Sequence, residues 1–189
     1  MAAFSKQATE GRLEAGTSLI EILLAGTILT ICSLGMIALI VTTIGTNSRN
    51  KINSTQTMLA QSIIEHVGST MLGTAGSSIS DCAGNTYTIG SLAGGANLNA
   101  DGNEINFTEN IAGDVSKTDY HMDYYLNTPC TSTGARQAVY DVRWNVLKVG
   151  GVSNPTNTYL LTVSARLKSR ADGGLLFPRP VTLRFMSGI

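Results

Sequence analysis

Residues 22–44 contain no charged side chain and are mostly apolar. About 20 such residues in a helix, rising ~1.5 Å each, match the ~30 Å hydrocarbon core of a bilayer. The run exceeds the ~7–15-residue apolar core of a secretory signal. No small-x-small cleavage pattern closes it before Thr46, Asn47 and Ser48. It predicts a retained membrane helix. Glu21 stands at its amino-terminal lip, and no Lys or Arg occurs between Arg12 and Arg49. A carboxylate in hydrocarbon costs ~2.5–3.5 kcal/mol at the bilayer centre and less at its edge. Glu21 therefore either reaches headgroup water or takes a cation from another molecule.

No proline occurs from Thr17 to Leu72, so nothing forces the helix to stop. Gly26, Gly35 and Gly45 each weaken it by ~1 kcal/mol relative to alanine in water, but in a membrane small residues let helices approach closely. Beyond Thr46 the composition turns polar, and Ile52, Leu59, Ile63, Val67 and Met71 recur mainly at +4 and +7. That spacing makes one apolar stripe. The expectation is a single helix in two halves, apolar all round over 17–45 and amphipathic over 46–72. The run from Gly73 to Ser78 then stops it.

The last third of the chain is periodic in a different way. Tyr140, Val142, Trp144 and Val146 alternate with Asp141, Arg143 and Asn145. Leu161, Val163, Ala165 and Leu167 alternate with Thr162, Ser164, Arg166 and Lys168. Val181, Leu183 and Phe185 alternate with Thr182 and Arg184. Period two over three runs predicts three strands with one face buried and one face wet. The connectors, around Gly150 to Pro155 and Asp172-Gly173-Gly174, suit an antiparallel meander. The fold class expected is α+β, a long amino-terminal helix packed on an antiparallel sheet over 136–189. Residues 73–135 are less regular, with short strands expected at Tyr87-Thr88-Ile89 and over 120–126. A hairpin turn is expected at Ala100-Asp101-Gly102-Asn103, and a loop over 128–134.

Formal net charge is zero and only 14% of residues are charged, so there is no electrostatic case for a nucleic-acid partner. A sparsely charged surface suits a subunit that packs against copies or relatives. The chain has no Gly-x-Ser-x-Gly elbow, phosphate loop or His-Glu-x-x-His motif, and His66 and His121 lie in different elements. It is expected not to be an enzyme and to need no cofactor. Asn97, Asn99, Asp101 and Gly102 resemble the start of a calcium loop, but Thr108 stands where such a loop needs a bidentate glutamate. The hairpin turn is the better reading. The glycine-rich stretch 90–103 and Asp172-Gly173-Gly174 are either contact tips or simple turns.

The amino terminus is more specific. Residues 1–16 form a short polar leader ending in Gly16, and Thr17-Ser18-Leu19-Ile20-Glu21 leads into the apolar run. This resembles the prepilin signature of type IV pilins and type II secretion pseudopilins. The resemblance covers roughly residues 10–70. Ser18-Leu19-Ile20-Glu21, Leu34-Gly35 and Gln61-Ser62-Ile63-Ile64-Glu65 look most like PilV-type minor pilins, with a GspI-like minor pseudopilin as the alternative within the family. The likeness implies cleavage after Gly16 by a prepilin peptidase, and Gly16, lacking a β-carbon, suits entry to a narrow site. It further implies N-methylation of Thr17, which stands where the family commonly has phenylalanine. Glu21 becomes the assembly residue, pairing with the freed amine of a neighbouring subunit. Implied partners are the peptidase, major and minor pilins, the inner-membrane assembly platform, and lipid before assembly.

Lys6 and Arg12 before the span match Arg49 and Lys51 after it, so charge does not orient the helix. The resemblance does, with the leader cytoplasmic and the carboxyl-terminal domain outside. In an oxidising compartment Cys82 and Cys130 are expected to form a disulfide; otherwise they are two separate thiols. Cys32 lies inside the apolar run as a small packing residue, and no Cys-x-x-Cys spacing supports a zinc site. A reading from another class remains: a single-pass anchored binding protein with an uncut amino terminus.

Overall fold

In a computed structural model of the chain, residues 18–70, 76–150, 158–170 and 179–188 are described. They belong to two compact units, Met1–Thr46 and Asn47–Ile189. Helix α1 spans Leu19–Ser69 and contributes to both.

In the first unit α1 is apolar on every side. Its large side chains stay open, from 55% exposed at Ile28 to 77% at Leu19, and no part of the apolar window is buried against the chain. The hydroxyls within it are satisfied internally. Thr27, Thr30, Ser33, Thr42, Thr43 and Thr46 each donate to a carbonyl three or four residues back, at 2.7–2.9 Å. Such back-bonding lets polar hydroxyls sit in an apolar surrounding without an outside partner.

The second unit joins the rest of α1 to a sheet. Its strands are β1 (Ser78–Ser80), β2 (Thr86–Thr88), β3 (Gly94–Gly95), β4 (His121–Thr128), β5 (Ala135–Val149), β6 (Thr158–Arg170) and β7 (Val181–Gly188). β1 and β2 form a small antiparallel pair. The main sheet has five strands in the order β3-β5-β6-β7, with β4 also on β5, and every pairing is antiparallel. The three expected strands are its β5-β6-β7 meander, and the irregular region supplies β3 and β4 as well. β3 consists of glycines for a local reason. Gly95 has φ +112°, and a Cβ there would stand 2.5 Å from the Trp144 carbonyl oxygen, so a side chain at that position would push β3 off β5.

One face of the sheet meets the helical stripe. Ile52, Leu59, Ala60, Ile63 and Val67 pack with Met122, Tyr140, Val142, Trp144, Val146, Leu161, Val163 and Ala165. Burying each of Ile52, Leu59, Ile63 and Val67 contributes ~1.5–3 kcal/mol. Gln56 interrupts that stripe, fully buried with neither amide atom hydrogen-bonded among the described residues. Met71, expected to extend the stripe, lies outside the described residues. A long amino-terminal helix with an apolar first part, packed on a carboxyl-terminal antiparallel sheet, with a disulfide between Cys82 and Cys130, is a pilin-like architecture.

The other face corrects the expectation from alternation. Alternation predicts a wet face, yet Asp141, Arg143, Thr162 and Ser164 are 3%, 8%, 1% and 0% exposed. The segment between β3 and β4 lies over it. Arg143 Nη1 donates to the Glu109 carbonyl at 2.9 Å, Asn145 Nδ2 to the Ala96 carbonyl at 2.8 Å and Arg184 Nη1 to Asn103 Oδ1 at 2.7 Å. Ala96, Ile105 and Ile111, with Leu98 and Phe107, make a second small core in that segment. Alternation marks a polar face; it does not say whether a loop covers it.

Candidate functional site

Among the expected site residues, Gly16 and Thr17 lie outside the described residues, as does the Asp172-Gly173-Gly174 tip. Glu21 is the third residue of α1. Its N–H and that of Ile22 donate to the Ser18 carbonyl at 2.9 and 3.3 Å, so the carboxylate sits in the first turn, where the helix dipole favours a negative charge. None of the ion pairs among the described residues involves Glu21. The next basic residue along the chain is Arg49. Glu21 is thus an exposed acid bordered by Ile20, Ile22, Leu23 and Leu24, all of them open. Such a group can hold a cation brought by another molecule.

The remaining positions lie in the second unit. Cys82 and Cys130 form a disulfide, Cα–Cα 4.4 Å, across 48 residues of sequence, a bond that oxidising, extracytoplasmic compartments favour. Cys32 is free and exposed. Asp81, next to the bridge, is a hub that sequence reading did not single out. Its carboxylate accepts from the Ala83 and Asn85 N–H groups at 2.9 and 2.8 Å, from Asn85 Nδ2 at 2.8 Å, from the Tyr87 hydroxyl at 3.2 Å and from the Tyr125 N–H at 3.2 Å. Burial, then the Asp81 charge and hydrogen bond, push the Tyr87 phenol above its ordinary pKa. The hub holds the β1-β2 pair on β4.

A second cluster is buried on the covered face of the sheet. Asp141 accepts from Arg143 Nε at 2.8 Å and Nη2 at 3.0 Å, and from Arg166 Nη2 at 2.9 Å. Both guanidinium groups lie over the Phe107 ring, at 5.2 and 4.4 Å. Nearby, Lys117 bonds Glu109 and Asn97. Burial raises the Glu109 carboxyl, but hydrogen bonds from Lys117 and the Asn97 N–H, with the charges of Lys117 and Arg143, outweigh it and hold it below its ordinary value. This cluster fastens the covering segment to the sheet and leaves none of its buried side-chain polar atoms without a hydrogen-bond partner, the arrangement of a structural clamp.

The calcium-like stretch is a hairpin. Leu98 and Ile105 make an antiparallel bridge, and Gly102 takes φ +66°. The Asn97 side-chain oxygen is held by Lys117. His66 and His121 stand apart in separate bonds, to Ser77 Oγ at 3.3 Å and to the Lys117 carbonyl at 3.4 Å. Among the described residues no three His, Cys, Asp or Glu side chains gather as metal ligands. One sequence cue pointed to the Asp141 cluster: opposite charges two apart on one strand, Asp141 and Arg143, share a face and are close enough to pair.

Comparison with protein-family models, with curated proteins and with solved structures finds no match to this chain.

Proposed function

We propose that the chain is a minor pilin of a type IV pilus, a structural and non-catalytic subunit. In this reading it is made as a prepilin in the inner membrane, cut after Gly16, methylated on Thr17 and drawn from lipid into a filament base or tip by the assembly platform. The observation that carries the reading is Glu21: an acid in the first turn of an exposed apolar helix, without a cationic partner among the described residues. In an assembled filament the free amine of a neighbouring subunit supplies that cation, and pairing sets the axial register between subunits. The pilin-like fold supports the reading, as does a disulfide-bearing head that suits the extracytoplasmic side.

The test is the mass of the membrane-extracted protein from cells with and without the prepilin peptidase. The reading expects a species starting at Thr17 with one added methyl group when the peptidase is present, and the leader retained when it is absent. A leader retained in both strains would overturn it in favour of a simple membrane anchor.

A further inference from the structure

The main sheet has two long edges, and the molecule treats them differently. The edge at β4 is closed from outside the sheet. The Tyr125 carbonyl accepts from the Cys82 N–H at 3.2 Å, the Tyr125 N–H donates to Asp81 at 3.2 Å, and the Asp123 carbonyl accepts from the Tyr87 hydroxyl at 2.6 Å. β7 ends the strand order. It pairs with β6 along all of its length with no shift of register, and among the described residues no hydrogen bond reaches its backbone from the outer side. Folded proteins usually blunt such an edge with a proline, a lysine or a bulge. β7 has none of these: Pro180 precedes the strand and Arg184 is its one charge.

The side chains along β7 say what would fit there. Leu183 faces the helix-side core, and Phe185, 40% exposed, stands on the same face beside Gly68. Arg184 and Met186 alternate with them on the opposite face, Met186 being 62% exposed. β6 and β7 together hold Arg166, Lys168, Arg170 and Arg184 and no Asp or Glu. Arg166 and Lys168 are neutralised by Asp141 and Asp123 across the sheet. Arg184 is bonded to the neutral amide of Asn103 and to no acid among the described residues. A second copy's β7 is a poor occupant, because it brings another arginine and no carboxylate.

We propose that the outer edge of β7 is a docking site for an extended segment of a different protein in which apolar residues alternate with acidic ones, added to the sheet as a further strand. Main-chain hydrogen bonds would supply the affinity, and Leu183 with Phe185 on one face and Arg184 on the other would supply the choice of sequence. The inference concerns the second unit alone and stands whether or not the chain enters a filament.

The test uses the full chain in detergent micelles. Two fluorescent peptides of about ten residues, a typical strand's upper length, alternate valine with glutamate or valine with lysine. Binding is followed by anisotropy and by backbone hydrogen exchange. The glutamate peptide should bind about threefold tighter or more, the effect of one exposed charge pair, and should slow exchange in β7 selectively. Arg184→Glu should reverse the order of the two peptides, and Arg184→Gln should abolish the preference. Equal binding, no binding, or protection elsewhere with none in β7 overturns the proposal. So does a free chain whose outward β7 amides already exchange as slowly as those of β5, since the edge would then be covered by the chain itself.

Discussion

Replacing Asp141 with alanine should destabilise the second unit by about 3–5 kcal/mol, the cost of removing one partner from a buried ion pair. The reason is what stays behind. Arg143, at 8% exposure, would keep its charge but lose both bonds to the carboxylate, and Arg166 would lose its one bond to it. Their contacts with Phe107 and the Glu109 carbonyl replace little of that. Urea denaturation followed by tryptophan emission measures the loss, because Trp144 is the sole tryptophan and fully buried in the helix–sheet core. The triple variant Asp141→Leu, Arg143→Met, Arg166→Met should recover most of it, as apolar replacement of a whole buried charge cluster often does. An Asp141→Ala variant as stable as the parent would mean that the covering segment does not bury these groups in solution.

The second large effect concerns the bridge. Changing Cys82 and Cys130 together to serine should cost about 2–4 kcal/mol, since a closed loop of ~50 residues is worth ~4 kcal/mol in the chain-entropy account. The unit should loosen without losing its fold. The Asp81 hub and the Cys82 N–H bond to Tyr125 still hold that segment on β4, and the helix–sheet core lies elsewhere. At ~2–4 °C per kcal/mol for a domain of this size, the melting temperature should fall by roughly 5–15 °C. A reducing agent should lower the parent to the same value and leave the double variant unmoved. A parent insensitive to reductant and equal to the variant would show that the bridge contributes nothing to stability.

The parts of the fold that could be read from sequence are those whose periodicity has a single physical cause. The absence of proline and charge over 22–44 admits a helix and little else. Alternation at Tyr140–Val146 and Leu161–Leu167 places β5 and β6 at once, because their apolar residues face one core. The stripe is less complete in the sequence than in the fold. Gln56 occupies a stripe position between Ile52 and Leu59, but a polar residue carries no apolar signal even when it is fully buried. The burial of the covered face is hidden from the sequence for a related reason. Asp141, Arg143 and Thr162 have the same composition as a wet face, and only a segment distant in sequence, folding back with a small apolar core of its own, buries them. β3 was hidden because two glycines carry no pattern at all. Of the candidate site, the isolation of Glu21 from any basic residue is legible in the charge placement, while its proposed role rests on the prepilin resemblance. The Asp81 hub is not legible, since its partners are backbone N–H groups, which sequence does not mark.

If Glu21 pairs with a neighbouring subunit, its loss is read out in filament incorporation. In cells with the full assembly machinery, the Glu21→Ala chain should reach the membrane at the parent's level. In the sheared surface-filament fraction, quantified by immunoblot, it should fall by at least about tenfold, equivalent to ~1.4 kcal/mol or more of lost pairing. Equal amounts of the alanine variant and the parent in those filaments would show that Glu21 pairs with no neighbouring subunit.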